Sequence, residues 1–531
     1  MSEPRASGRT LAAVLTVLAV GIQPAAAADY ATLTAVQTGL GWLDSAVAPQ
    51  TPVARLRDQA DAALVRLGLA LEPAPAVPPR ALRPFAATEA ADVALVDIRL
   101  MLTQLAVQTG ANDHLALVRA QQPQDGAAQD EPAQAILIRA GFLTLPALLA
   151  AVQGTPVADY LVATPEGVTA RVPLVIWDDA GLQIGAGEAL ALDRAGGSFL
   201  INYGRLDVIG GAVSGTEPVN PTEPAFRPFV LTAGAGEFHA QDAQFAALGF
   251  GSNRTFGGLA ISNNALMNAE RASDVSGSTL TGVTSLVVRA QGTRITGNRL
   301  IGSNGPAIEV SGGHGVVVDD NLVLDATGHQ AIRITLGSEQ VQVSGNIALG
   351  GARNGILIDR GSSHVSVIGN VLAGQSSAGV GVSRSDCVLV SGNLVGRNAG
   401  YGIIVSEARR VRLEGNALLF NQRSGLLVRD QSDQGRVTVA ANVLAGNRDG
   451  VSGATPGPIE LIANDLDGQM PRLLSGDLAG HTADYLRASA RPAPDNSFQL
   501  PQDFPAPVQP DTASATPTAS GDETCFEKGR L

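Results

Sequence analysis

The sequence predicts an all-β fold, a right-handed parallel β-helix (solenoid), preceded by a small α-helical region. Asparagines recur at intervals of 22 to 26 residues, and each is followed by an apolar pair, a Gly-containing turn and a short strand-like run. The recurring residues are Asn298, Asn321, Asn346, Asn370, Asn393, Asn416, Asn442 and Asn464. A repeat of this length with short strands is one coil of a β-helix. A leucine-rich repeat has a similar length, but its dense Leu framework is absent. We expect the asparagines to stack as a hydrogen-bonded ladder.

The first 28 residues resemble a signal peptide. Arg5 and Arg9 give a basic start, an apolar run follows from Leu11 to Ile22, and small residues end the segment at Ala28. The alternative is a retained membrane anchor, but the apolar run is short for a membrane span. We therefore predict a periplasmic or extracellular protein with no membrane span in the mature chain.

Residues 29–154 are predicted to be helical, because apolar residues follow a period near 3.6 in three stretches. These stretches are Pro52 to Leu71, Ala91 to Val107 and Ala133 to Val152. At about Tyr160 the period changes to two, and we predict the β-helix over residues 155–480. Short strands are expected at Val172 to Trp177, Ser198 to Tyr203 and Arg205 to Ile209.

Residues 481–531 are rich in Pro, Ala, Ser and Thr, which is typical of a mostly disordered tail. The two cysteines, Cys387 and Cys525, lie far apart, and the sequence leaves open whether they pair. No Cys/His spacing resembles a zinc site, so we predict no metal and no cofactor.

The formal net charge of -13 argues against a nucleic-acid partner, because phosphate binding needs a basic surface. An acidic polysaccharide remains a possible partner if basic residues are concentrated at one place.

Any site should lie on an outer face, since the interior of a β-helix is apolar. Strand alternation directs Glu309 and Ser311 outward on one coil and Arg333 outward on the next, where the two charged residues should stack. Asp359 and Arg360 follow one coil further. His314 and His329 lie on turns nearby. An arginine that neutralises a uronic-acid carboxylate acidifies the C5 proton, and a histidine or carboxylate can remove that proton.

The predicted catalytic residues are therefore Glu309, Arg333, His314 and His329, and the predicted substrate-binding residues are Asp359, Arg360 and Ser311. The alternative is that Glu309 and Arg333 form an exposed cross-strand ion pair, which contributes little.

Several segments resemble the periplasmic alginate (mannuronan) C5-epimerases: Gly197 to Leu206, Phe226 to Val230, Leu248 to Ser262, Gly355 to Arg360 and Asn464 to Gly480. The resemblance is collinear and covers roughly Thr155 to Gly480. It implies a β-helix with a carbohydrate groove that converts mannuronate to guluronate in a polymer, in the periplasm, during polymer export.

The sequence departs from the family at its catalytic motif. The Asp-Pro-His-Asp motif aligns with Glu309 to Gly312, so Ser311 stands where the resemblance implies the base. The family's catalytic arginine falls at about Leu336, three residues from Arg333, whereas Asp359 and Arg360 match a familial pair.

Three functions remain open. The first is an epimerase, or a lyase, that uses relocated groups such as His314 or His329. The second is a noncatalytic component that binds polysaccharide or serves the exopolysaccharide export machinery. The third is a structural surface protein.

Overall fold

The fold is a parallel β-solenoid of about 12 turns. A computed structural model describes residues 30–44, 47–75, 78, 80–88, 90–109, 114–122, 133–250, 254–263, 272–432, 435–455, 457–469, 471–492, 496–500 and 523–526. The predicted β-helix is confirmed, while its right hand stays a prediction. The predicted signal peptide and residues 493–495, 501–522 and 527–531 of the predicted tail lie outside the described residues.

Three sheets, which we call A, B and C, form the walls of the solenoid, and A and B share the strand Gln134–Thr144. Strands of successive coils pair in parallel, whereas Leu161–Thr164 pairs antiparallel with Gly167–Ala170 at the start of sheet C. Sheet A continues with Leu174–Ile176, Leu200–Asn202, Val230–Gly234, Gly258–Asn263, Ser285–Arg289, Ile308–Ser311, Ile332–Thr335, Ile356–Ile358, Ala378–Ser383, Tyr401–Ser406, Ser424–Arg429, Asp449–Ala454 and Arg472–Gly476. Sheet B continues with Ala180–Ile184, Arg205–Ile209, Glu237–Gln241, Asp274–Ser276, Arg294–Thr296, Val317–Asp319, Glu339–Ser344, Ser363–Ile368, Asp386–Ser391, Arg409–Glu414, Val437–Ala440 and Ile459–Ile462. Sheet C comprises Leu161–Thr164, Gly167–Ala170, Ala189–Leu192, Ala212–Gly215, Gln244–Ala246, Thr279–Thr281, Arg299–Ile301, Leu322–Ala326, Ile347–Gly351, Val371–Gln375, Leu394–Gly396, Ala417–Leu419 and Val443–Ala445.

Helices lie at the ends and on the outside of the solenoid. The α-helices are Tyr30–Gly39, Val53–Leu64, Arg99–Thr109, His114–Ala120, Leu145–Val152, Thr482–Ser489 and Glu523–Phe526. The 3-10 helices are Gly41–Asp44, Val65–Leu67, Pro156–Asp159, Arg254–Phe256 and Ala479–His481. Among the described residues, no helix combines the length and the apolar character that a membrane crossing needs.

Two of the predicted helices are partly wrong. The stretch from Ala91 to Val107 begins as the strand Asp92–Asp97 and becomes helical only at Arg99–Thr109. The stretch from Ala133 to Val152 begins as the strand Gln134–Thr144, which pairs antiparallel with Asp92–Asp97 and in parallel with the first coil. A short apolar run fits a buried strand as well as a buried helix, so periodicity could not separate them. Strand pairing of the solenoid thus begins before the expected boundary at residue 155.

The interior of the solenoid is filled by stacked aliphatic side chains. In sheet A, Ile308, Ile332 and Ile356 lie in register on adjacent coils, and each is fully buried. Burial of each such side chain stabilises the fold by roughly 1.5–3 kcal/mol. This inward row fixes the neighbouring residues of each strand on the outer face.

The predicted asparagine ladder is confirmed. Asn370 Nδ2 donates to Asn393 Oδ1 at 2.9 Å, and Asn370 Oδ1 accepts from Asn346 Nδ2 at 3.0 Å. The same bond recurs along the row from Asn298 to Asn464. The structure also has a second amide ladder that the sequence analysis missed, formed by Asn398, Asn421, Asn447 and Gln469.

The N-terminal region packs along the outside of the solenoid. Its first helices bury Leu56 and Leu64 against the outer face of sheet C, which contributes Ile347 among others. A following strap, residues 72–75, 78 and 80–84, crosses sheet B. There Glu72 N donates to Gly392 O at 3.1 Å, and Arg80 Nη1 donates to Ala272 O at 2.5 Å.

The helices Arg99–Thr109 and His114–Ala120 cover the first coils of sheet A together with a cluster of buried phenylalanines, which includes Phe199, Phe226 and Phe229. The last outward sheet A residue in this cluster is Val287. Because Val287 pairs with Glu309, the cover ends one coil before the predicted site.

The C-terminal segment closes the other end. Tyr485 and Phe498 pack into the solenoid core, and Ser497–Gln499 pairs antiparallel with Ile459–Ile462. Cys525 forms a disulfide with Cys387, which resolves the pairing that the sequence left open.

Candidate functional site

Two outward rows of side chains run along sheet A. In the first outer row, Glu309 lies in register with Arg333, as the alternation predicts. In the second outer row, Ser311 lies in register with Thr335, and Asp359 follows on the next coil, where its N–H donates to Ile334 O at 2.9 Å. Asp359 is therefore diagonal to Arg333 rather than directly above it.

The ion pairs differ from the expected pairing of Glu309 with Arg333. Arg333 Nη2 lies 2.6 Å from Asp359 Oδ2, and these side chains are only 13% and 9% exposed. Glu309, almost fully buried, pairs instead with Arg254 through Nε. The expectation of an exposed, weak ion pair is thus wrong, because the diagonal geometry and a loop residue supply closer partners.

Arg254 is the functional candidate that the sequence analysis missed. It begins the 3-10 helix Arg254–Phe256, in a loop that breaks the repeat. Burial lowers the pKa of this guanidinium most, followed by the charges of Arg333, Arg360 and Arg289, while Asp359 opposes the shift. The sequence feature that could have identified Arg254 was the segment Leu248 to Ser262, which resembles the epimerase family and contains this arginine.

The site is an arginine cluster: Arg254, Arg289, Arg333 and Arg360 around Glu309 and Asp359. Four guanidinium groups against two carboxylates give a local positive charge in a chain whose net charge is -13. A concentrated positive surface of this kind attracts and holds anions.

Several buried polar atoms at the cluster have no hydrogen-bond partner among the described residues. They include Ser311 Oγ, Thr335 Oγ1, Gln330 Oε1, Arg333 Nε and Asp359 Oδ1. Most buried polar groups in proteins are paired, so such a concentration is typical of a place that receives a polar ligand or water.

The two predicted histidines lie in different surroundings. His329 lies on the turn that precedes the strand Ile332–Thr335, which carries Arg333. Burial lowers the pKa of His329 most, and the charges of Arg353, Arg333 and Arg254 lower it further. The lowered pKa favours the neutral imidazole, whose unprotonated nitrogen can accept a proton. His314 instead bridges toward sheet B, where its Nδ1 lies 3.8 Å from Glu339 Oε2. The structure does not bring His314 to the arginines.

The described residues offer no candidate metal site of His, Cys, Asp and Glu side chains. No group of three or more His, Cys, Asp or Glu side chains is arranged there to hold an ion. Both cysteines are held in the disulfide and offer no thiolate ligand.

Comparisons with known proteins agree with this fold. A family model described as "Periplasmic copper-binding protein (NosD)" matches residues 258–461. Mannuronan C5-epimerase of Pseudomonas fluorescens is 33% identical over 132 residues, 23% of this chain and 24% of that protein. Mannuronan C5-epimerase of Pseudomonas aeruginosa is 31% identical over 138 residues, 24% of each chain.

The matched region thus spans about a quarter of the length of these curated relatives. The crystal structure of the periplasmic alginate epimerase AlgG superimposes with a TM-score of 0.64 at 20% identity, covering 74% of this chain and 99% of AlgG. The chain is thus similar in sequence to mannuronan C5-epimerases over that stretch, and the solved structure shows the same β-helix fold.

Proposed function

We propose that this protein binds a uronic-acid polysaccharide of the alginate type on the outer face of sheet A. The observation that carries the proposal is the arginine cluster on the face of an acidic protein. Guanidinium groups bind carboxylates with strong, charge-assisted hydrogen bonds, and arginine suits such planar recognition better than lysine.

The four arginines have different roles in this proposal. Arg254 and Arg333 are each held by a carboxylate of the protein. Arg289 and Arg360 have no ion pair among the described residues, and Arg360 is exposed. Arg289 and Arg360 are therefore the groups that contact sugar carboxylates, while Glu309 and Asp359 fix the orientation of the other two.

The proposed location is the periplasm or the extracellular space, where the polymer would be met during or after export. Three features support it: the signal-like first 28 residues, the disulfide, and the periplasmic epimerase that shares the fold. Structural disulfides persist in oxidising compartments and are rare in the cytosol. Export machinery is the proposed protein partner.

A second candidate is catalysis at C5, favoured by His329, which precedes the strand of Arg333 and whose pKa is lowered by burial and by the charges of nearby arginines. The unprotonated nitrogen of His329 would take the C5 proton, and the arginines would stabilise the negative charge that develops on the carboxylate. Transfer of a proton from water to the opposite face of the sugar, while His329 releases its proton to solvent, inverts C5, which is epimerisation. Loss of the 4-linked sugar from the same intermediate is the lyase reaction. Ser311, at the position of the family's base, has no hydrogen-bond partner among the described residues that would activate it.

Binding is tested by calorimetric titration of the folded protein with polymannuronate oligosaccharides. Arg360→Gln should weaken affinity by about 1–3 kcal/mol through loss of a charge-assisted contact. Arg412→Gln is the matched control, since Arg412 lies on sheet B and pairs with Glu414. Equal affinities for wild type, Arg360→Gln and Arg289→Gln would contradict the proposed site.

Catalysis is tested by proton NMR of polymannuronate after incubation. New guluronate signals indicate epimerisation, and unsaturated chain ends indicate the lyase reaction. Under the second candidate, His329→Gln should abolish either signal and retain polymer affinity. If the protein binds the polymer tightly and leaves it chemically unchanged, only the proposed binding role stands.

A further inference from the structure

The second outer row extends beyond the arginine cluster toward the N-terminal end of the solenoid. From Arg289 the register continues through Ser262, Ala233 and Tyr203 to Trp177. Trp177 is thus four coils from Arg289, roughly 19 Å at the usual strand spacing. The two residues between Tyr203 and Arg289 are small, and one of them, Ala233, is buried in the cluster that covers the first coils.

Trp177 and Tyr203 form an aromatic pair at the end of this row. Their ring centroids are 5.6 Å apart in an edge-to-face arrangement, and Trp177 is 41% exposed. The chain has only two tryptophans and 4% aromatic residues, and many of its phenylalanines are fully buried. An exposed tryptophan is therefore notable here. Tryptophan combines a large apolar ring with an N–H donor, which suits contact with a partly polar ligand.

Charges continue on the far side of the aromatic pair. Arg139 follows Ile138, which is in register with Ile176, so Arg139 is the neighbour of Trp177 in the row. Its guanidinium is half exposed and 3.8 Å from Asp92. Asp178 and Asp179 also follow Trp177 and are exposed, so this end has no net positive charge. The aromatic pair therefore offers contact with a sugar ring face rather than with a carboxylate.

We propose that Trp177 and Tyr203 form a distal sugar subsite, which rests on the proposed function and makes the ligand an extended polymer rather than a short fragment. A linear uronan lying along the solenoid axis would place its carboxylates on the arginine cluster. A sugar further along the same chain would lay its C–H face on the indole of Trp177. The sugars between the two contacts would pass over the covered coils, where Ala233 is buried.

This arrangement makes affinity depend on chain length. Uronan dimers should occupy the arginine cluster alone, whereas uronan octamers should contact both the arginine cluster and the aromatic pair. Trp177→Ala should therefore leave dimer affinity unchanged and weaken octamer affinity about five- to tenfold, as expected for loss of an aromatic contact. The loss should be the same at low and high salt, whereas the loss in Arg360→Gln should shrink as salt screens charge. Trp177→Phe should retain most of the octamer affinity.

Fluorescence gives a second measurement that does not depend on a destabilised variant. In Trp42→Phe, Trp177 is the single remaining tryptophan, and Trp42 itself packs on the opposite side with the N-terminal helices. Octamers should shift the emission of Trp177, and dimers should not.

The outcomes separate the two proposals. If wild type binds no uronan of any length, the proposed function is wrong. If octamers bind wild type and Trp177→Ala equally while Arg360→Gln weakens binding, only the distal subsite is wrong. An equal loss at every length in Trp177→Ala would also overturn it, since that result indicates a general structural effect.

Discussion

Arg333 and Asp359 form a nearly buried ion pair across adjacent coils, with Nη2 and Oδ2 2.6 Å apart. Removal of one partner from such a pair leaves an uncompensated charge in a poorly hydrated place, which costs far more than loss of a surface pair. The pair therefore stabilises the coils that carry the site and also fixes one arginine of the cluster.

The first prediction concerns the stability of this pair. Arg333→Met and Asp359→Leu should each lower the free energy of unfolding by roughly 3 kcal/mol, because each leaves the other charge unpaired. The double variant should recover most of the loss. Urea unfolding of the four proteins measures the coupling. For the more exposed pair Arg412 and Glu414 the same cycle should give less than about 1 kcal/mol. Additive losses at Arg333 and Asp359 would contradict the assignment.

The second prediction concerns the asparagine ladder. Asn370→Leu should destabilise the solenoid by several kcal/mol, since each buried polar group left unpaired costs about 1–3 kcal/mol and Asn370 bonds to Asn346 and Asn393. Asn496→Leu is the control, because Asn496 lies beyond the ladder. Equal melting temperatures for the two variants would refute a stabilising role of the ladder.

The third prediction concerns pH and Asp319. Burial, together with the nearby charge of Asp320, raises the pKa of Asp319 from 3.8 to about 6, although Ser344 donates a hydrogen bond to it. Because the folded state holds this proton more tightly than the unfolded chain, its stabilising contribution is complete below pH 3.8 and is lost as the pH rises through about 6.

Asp319→Asn should therefore match wild type in acid and exceed it at neutral pH by on the order of 1–3 kcal/mol. Chemical denaturation across this pH range checks the result. The control is Asp178→Asn at an exposed turn, which should follow wild type throughout. A variant less stable than wild type at neutral pH would show that the Asp319 carboxylate is needed in its charged form.

The fourth prediction concerns the disulfide. Cys387 and Cys525 are 138 residues apart, and a crosslink that closes so long a loop restricts the unfolded chain. Cys525→Ser should lower the free energy of unfolding by about 2–4 kcal/mol. Reduced wild type should behave like Cys525→Ser, and a reducing agent should leave that variant unchanged. Two free thiols in the oxidised native protein would contradict the pairing.

The sequence by itself determined the repeating part of this protein. Asn370 and its equivalents marked the coils between Asn298 and Asn464, and inward Ile308 and Ile332 fixed the outward direction of Glu309 and Arg333. These features are predictable because a solenoid repeats one local pattern, so the period carries the information. The strand Gln134–Thr144 escaped prediction because it is a single apolar run without that repeat.

Only the tertiary structure decided which charges meet. Arg254 reaches Glu309 from a nonrepeating loop, Asp359 approaches Arg333 diagonally, and His314 turns toward Glu339 on sheet B. The disulfide of Cys387 with Cys525 and the docking of the N-terminal strap likewise join segments far apart in the chain. The physical reason is that a periodic pattern fixes the direction of a side chain within its coil. Which residue that side chain contacts depends on the paths of the loops, and a periodic sequence pattern does not predict those paths.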